Sequence, residues 1–206
     1  MRPAPALIVL AAGRGSRYHG ARHKLAEDLG PHSVLGCTVR HAIESGLPVL
    51  VVTTAGLAEE AARLVARRDV VVLGGGPNGQ AAGGMGDSIA AGVGARATAA
   101  GWLVLPGDMP LVQPRTLRRV AEALTQHPIA YAQHRGRRGH PVGFSAELFS
   151  DLVRLSGEDG ARRLLARYPA HPVEVDDPGT LQDLDTTDDL ARLREQVARQ
   201  PAIIPG

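Results

Sequence analysis

The chain has 206 residues, 44% of them hydrophobic and 3% aromatic, with a formal net charge of +2. That length and apolar content suit one α/β domain, residues 1–206, whose core is built from small and branched aliphatic side chains and needs no covalent staple. Its single cysteine, Cys37, excludes an intramolecular disulfide and a multi-cysteine zinc site.

The arginines are spread along the chain without a basic stripe, and there are few rings on which bases could stack, so no nucleic-acid partner is expected. Met1-Arg-Pro leads straight into a strand, with no signal peptide and no apolar run of membrane length. The expected compartment is the cytoplasm, with no membrane partner.

The first predicted strand is Ala6–Ala11. It stops at a glycine-rich turn, Gly13-Arg-Gly-Ser-Arg-Tyr18, and Lys24 follows closely. In such a turn backbone N–H groups can surround phosphate oxygens while Arg17 and Lys24 neutralise them, so a nucleoside triphosphate is the first substrate to consider. Two other phosphate-binding signatures fit less well. A dinucleotide fingerprint would need a third glycine where Tyr18 stands, and an acid where the second strand ends in Thr53 and Thr54. A P-loop would need Gly-Lys-Ser/Thr after the glycines. For the glycines alone, an ordinary strand-to-helix turn is an equal reading.

Next comes a helical pattern of Val34, Leu35, Val39 and Ile43, within which Cys37 is expected as an inert buried thiol. Strand Val49–Thr53 leads to a helix over Leu57–Ala66, with Leu57, Ala61, Leu64 and Val65 on one face and Glu59 placed to pair with Arg63. Strands Val70–Leu73 and Trp102–Leu105 follow, the second ending in Pro106-Gly-Asp108-Met-Pro110. A carboxylate at such a strand end can hold Mg2+ together with substrate phosphates, or can simply bond its own turn.

After strand Ile129–Gln133 a basic hairpin, Arg135-Gly-Arg-Arg138, leads into His140-Pro-Val-Gly-Phe144. Two helices are predicted beyond it. Ser145 caps the first, whose buried stripe is Leu148, Phe149, Leu152 and Val153, and the second spans Gly157–Tyr168. Strand Val173–Val175 precedes Asp176-Asp-Pro-Gly, where Asp177 and Pro178 read as turn residues. The last helix opens at Thr186-Thr-Asp-Asp189, and the tail 200–206 reads as frayed. Asp185, just before that helix, is either a cap or a partner of Asp108 on a shared metal.

Continuous Val/Leu/Ile runs mark strands covered on both faces, and their alternation with helices predicts a doubly wound, mostly parallel α/β sheet with helices on both faces. In such sheets a ligand lies beyond the carboxyl ends of the strands.

Taken together, these segments resemble the molybdenum cofactor cytidylyltransferases, within the nucleotidyltransferases of Rossmann-like fold. The matching segments are Leu10-Ala-Ala-Gly-Arg-Gly-Ser-Arg17 with Lys24, Asn78 ahead of Gly83-Gly-Met-Gly-Asp-Ser88, and Leu105-Pro-Gly-Asp-Met-Pro-Leu111. Arg138-Gly-His-Pro-Val142, Ser156-Gly-Glu-Asp-Gly-Ala-Arg162 and Asp176-Asp-Pro-Gly with Asp183-Leu-Asp-Thr186 complete them.

The resemblance implies that Leu10, Ala11, Ala12, Gly13, Gly15 and Ser16 hold the nucleotide, with Thr53 close by and Arg17 and Lys24 on its triphosphate. It places Asn78, Gly84 and Ser88 near base and ribose. Asp108 would bind Mg2+, with Asp185 as second ligand, while Arg138 and His140 would meet the acceptor; solvated arginines on a surface hairpin are the plainer alternative. Lys24, Arg17 and Asp108 would carry catalysis.

The implied reaction joins CMP from CTP to the phosphate of molybdopterin, with a molybdoenzyme as possible recipient of the product. Guanylyl-transferring relatives tend to have Gly-Gly where this chain has Ala12-Gly13, which favours cytidine. Pro106, Tyr18-His19 and Gly74-Gly-Gly76 depart from the family pattern, and these departures bear on base preference rather than on reaction type.

Overall fold

The computed structural model describes residues 4–13, 15, 18–20, 22–74, 83–199 and 203. In chain order the elements are β1 Ala6–Ala11, a short hairpin of β2 Asp28–Leu29 and β3 His32–Ser33, α1 Val34–Glu44, β4 Val49–Thr54, α2 Ala58–Leu64 and β5 Val70–Leu73. Then come α3 Met85–Ala95, β6 Gly101–Pro106, α4 Pro114–Ala123, β7 Ile129–His134 and β8 Arg137–Ser145. The chain continues through α5 Phe149–Leu152, α6 Arg162–Arg167, β9 Ala170–Glu174 and α7 Thr187–Arg199.

Seven strands form one sheet in the order β5-β4-β1-β6-β8-β7-β9. β1 pairs in parallel with β4 on one side and β6 on the other, β4 with β5, and β7 with β9. Only β8 runs against its neighbours β6 and β7 in this sheet. This is the expected doubly wound, mostly parallel architecture, with helices on both faces of the sheet.

Side-chain alternation supplies two cores. Leu7, Val9, Val51, Leu103 and Leu105 face a layer with Leu35, Val39, Leu117, Val120 and Leu193 from α1, α4 and α7. Ile8, Leu50, Val52, Trp102 and Phe144 face the other, with Ile89, Val93, Leu152 and Leu164 from α3, α5 and α6. α4 shows how such a helix is specified: Leu117, Val120, Ala121 and, one turn on, Leu124 repeat at helical spacing and are buried. Pro114 occupies the first turn, where its missing N–H costs nothing.

Four local expectations need correction. The helix over Gly157–Tyr168 is only Arg162–Arg167, because Gly157 and Gly160 sit at φ +72° and +53°, outside the helical region. After Ser145 a 3-10 turn, Ala146–Leu148, precedes the short α5, and the Ser145 hydroxyl caps nothing. Glu59 pairs with Arg67 at 3.6 Å, beyond the end of α2, rather than with Arg63. Finally, Asp177 is no plain turn residue. It is 2% exposed, and its carboxylate accepts from Gln113 N, Thr116 Oγ1 and Gly179 N.

Cys37 is buried as expected, and burial pushes its thiol up to about 11. No helix among the described residues is long and apolar enough to cross a membrane.

Candidate active site

The strand order switches direction at the β1–β6 pair, and a cleft of about 690 Å3 opens beyond the carboxyl ends of these two strands. One wall is Leu10, Ala12, Gly13 and Gly15, leaving β1. Gly15 holds φ +58°, a left-handed conformation that suits glycine. The opposite wall is Gly83, Gly84, Met85 and Ser88, at the start of α3. Because β8 runs against β6, its first residues also reach this edge, and Arg137, Arg138, Gly139 and His140 line the cleft.

Lys24 and Asp108 meet at the floor. Lys24 lies on a short 3-10 turn anchored by the buried Leu25, whose N–H bonds His23 Nδ1; the other ring nitrogen of His23 is 3.2 Å from Gly13 O. Asp108 leaves β6 through Gly107, whose N–H donates to Leu10 O at 2.8 Å. A Cβ at Gly107 would stand 2.9 Å from that same oxygen, so the turn can lie this close to β1 only with glycine there. Leu184 N donates to Asp108 O at 3.0 Å and thereby ties the loop before α7 to the end of β6.

Lys24 Nζ donates to Asp108 Oδ2 at 2.5 Å, to Leu184 O at 2.8 Å and to Asp185 Oδ1 at 3.2 Å. Burial works to lower the Lys24 pKa, but the Asp108 and Asp185 carboxylates outweigh it and hold it above the ordinary lysine value. The ammonium is thus charged at neutral pH. Asp185 does not cap α7: Thr186 and Asp189 close a reciprocal box there, Asp189 N bonding Thr186 Oγ1 and Thr186 N bonding Asp189 Oδ2. The Asp185 carboxylate reaches Lys24 instead.

Asp108 Oδ1 is buried and has no hydrogen-bond partner among the described residues. A buried carboxylate oxygen without a donor is costly unless something else satisfies it. Two carboxylates facing a cleft that can take phosphates match the hard oxygen donors Mg2+ prefers, since that ion is usually held by one or two carboxylates plus phosphate and water. Among the described residues no cluster of three or more His, Cys, Asp or Glu could hold a metal by itself.

Of the residues predicted from sequence, Leu10, Ala12, Gly13, Gly15, Lys24, Gly84, Ser88, Asp108, Arg138, His140 and Asp185 line this one cleft. Two do not. Ala11 is 1% exposed in the core, and Thr53 is fully buried with its hydroxyl on Ala11 O, behind the β1 wall. Ser16, Arg17 and Asn78 lie outside the described residues.

Arg137, Asp183, Glu158 and Thr180 also line the cleft without having been singled out. Arg137 and Asp183 sit inside quoted motifs, so their neighbours were the available signal. The hairpin between β7 and β8 turns at Arg135 and Gly136, both with positive φ, as in the tight turns that match strand twist. The Arg138 guanidinium lies over the Tyr131 ring, 4.3 Å from its centroid. Burial lowers the His140 pKa, against the opposing pull of Asp108 and Asp183.

Fold and site together define an α/β nucleotidyltransferase. Residues 7–173 match the model of the MobA-like NTP transferase domain, and the chain belongs to that family. Among solved structures it is similar to Rv0371c from Mycobacterium tuberculosis H37Rv, at 30% identity and a TM-score of 0.77, covering 93% of this chain and 98% of that one. Rv0371c has also been solved in complex with manganese, at 29% identity, a TM-score of 0.73 and coverage of 94% and 100%. A nucleotidyl transferase from Methanothermobacter, Mth528, matches at 27% identity and a TM-score of 0.78, over 95% and 98% of the two chains. No curated protein matches.

Proposed function

We propose that this chain, acting as one domain, is a Mg2+-dependent nucleotidyltransferase that moves CMP from CTP onto the phosphate of molybdopterin and releases pyrophosphate. The observation that carries the proposal is the contact of Lys24 with both Asp108 and Asp185 at the floor of the cleft, with Asp108 Oδ1 buried and without a partner among the described residues. A divalent ion is further supported by the manganese complex of a relative.

The attacking group needs little help. A phosphate monoester has a second pKa of about 6 and is largely dianionic at neutral pH, so no protein general base is required. One acceptor oxygen forms a bond to the α-phosphorus. The bond from that phosphorus to the bridging oxygen breaks, and its electron pair leaves with pyrophosphate.

The backbone of Ala12, Gly13 and Gly15 lines the path of the triphosphate, with Ser16 and Arg17 assigned to the same task. Lys24 donates to phosphate oxygens as charge shifts toward the leaving group. Asp108 and Asp185 are the residues that would hold Mg2+, which when bound supplies charge neutralisation on the phosphates. Gly84 and Ser88 start α3, whose positive end faces the cleft; they and Asn78 are assigned to base and ribose.

Thr53 and Ala11 support the β1 wall from behind. Arg138, over the Tyr131 ring, and His140, whose pKa burial lowers, form the acceptor end. Ala12 supports cytidine over guanine, and a molybdoenzyme is the proposed recipient of the product.

The test is pyrophosphate release from each of the four nucleoside triphosphates with Mg2+, in the presence and absence of molybdopterin. Release confined to CTP plus molybdopterin is expected. A preference for GTP would reassign the base, and release that ignores the acceptor would overturn transfer to it.

A further inference from the structure

The ammonium of Lys24 occupies the space between the two carboxylates assigned to the metal. Its three protons are all committed, to Asp108 Oδ2, Leu184 O and Asp185 Oδ1. The group is screened from water: the side chains of Lys24, Asp108 and Asp185 are 11%, 16% and 22% exposed. The one ammonium is a shared partner of both carboxylates. It also repels any dication that approaches them. Yet Lys24 is the cation assigned to the triphosphate, and its four-carbon stem lets a point charge swing between partners without rebuilding the turn that carries it.

We propose that Lys24 is an internal counter-ion that exchanges with the metal. In the nucleotide-free protein it holds Asp108 and Asp185 together and disfavours a divalent ion at that spot. An arriving triphosphate draws Nζ onto its oxygens, releases both carboxylates and exposes them to the ion. Metal therefore enters with the nucleotide or after it, and the protein does not carry a tightly held metal between turnovers. The inference rests on the metal and phosphate assignments made above and adds an order of loading to them.

Mn2+ binding to the nucleotide-free protein, followed through the electron paramagnetic resonance of free Mn2+, tests this without any turnover. Lys24→Met and Lys24→Gln keep the side chain to within one heavy atom of its length and remove its charge. Each is expected to bind Mn2+ at least about tenfold more tightly than wild type, a conservative figure for losing a like charge within a few ångströms in a half-buried site. The gain is expected to vanish when Asp108→Asn is added.

Affinity equal to or weaker than wild type in both variants overturns the exchange. Thermal melting covers the case in which loss of the ammonium destabilises the fold. There Mn2+ should raise the melting temperature of the variants more than that of wild type, and variants that stay unfolded at saturating Mn2+ also overturn the exchange. Wild-type protein with CTP separates this inference from the reading beneath it. Failure of Mn2+ to bind even then removes the metal assignment itself, whereas binding with CTP but no gain in the Lys24 variants removes only the exchange.

Discussion

Asp176 and Asp177 are neighbours with opposite environments: the first is exposed, the second nearly sealed off. Three donors converge on Asp177, two of them from the start of α4, so this one side chain pins the loop that leads to Asp183 and Asp185 against the rest of the domain. Gly179 completes the joint, since a Cβ there would run into Leu111 O. Asp177→Ala strands those donors in a dry site and is expected to cost about 4 kcal/mol of stability, from the loss of several bonds to a charged acceptor. Urea unfolding at neutral pH measures it, and a loss below about 1 kcal/mol would show that the joint is not structural.

From sequence, Asp-Pro-Gly reads as a turn and nothing more, because burial is set by what packs on the turn. Thr53 lies off the cleft for a related reason. Its position at the end of a strand was legible, but strand parity turned its hydroxyl onto Ala11 O and away from the cleft.

At the scale of elements, the parallel strands were the easiest to read, since continuous apolar runs betray burial on both faces. β8 was not legible. It begins with two arginines and contains Gly139, Pro141 and Gly143, so neither run nor alternation marks it; its glycines are spent on close approaches, Gly139 to Thr180 O and Gly143 to Leu124. The β7–β8 turn itself was announced by Arg135-Gly136.

The start of α7 was legible down to its cap. Burial tends to raise the Asp189 pKa, but hydrogen bonds from Thr186, the Asp185 backbone and Arg192 outweigh it and hold it at about 2, against 3.8 for an unconstrained carboxyl. A folded pKa below the unfolded one means that the box stabilises fully above pH 3.8 and loses its contribution as pH falls through 2. Asp189→Asn should therefore be less stable than wild type at pH 6, by about 1 kcal/mol for a helix cap, and the gap should close toward pH 2. Parallel urea titrations across that range check it, and a gap independent of pH would contradict the assignment.

At the scale of the molecule, a doubly wound sheet brings the ends of β1 and β6 together at its switch point, and the antiparallel β8 delivers a basic hairpin to the same edge. Sequence could name many of the residues that line the cleft, because turns at strand ends, such as those at Gly13 and Asp108, are marked in it. It could not show that Lys24 would be bonded to Asp108 and Asp185 at once, a juxtaposition made by the Leu184–Asp108 backbone bond between distant segments.

The central claim is that this group performs nucleotidyl transfer. Its most direct test is the rate of pyrophosphate release with CTP, Mg2+ and molybdopterin, compared between wild type and a folded Asp108→Ala variant. Loss of one such electrostatic contact is worth roughly 3 kcal/mol or more of barrier, so a fall of at least about a hundredfold is predicted. A folded variant that turns over at close to the wild-type rate would contradict the account.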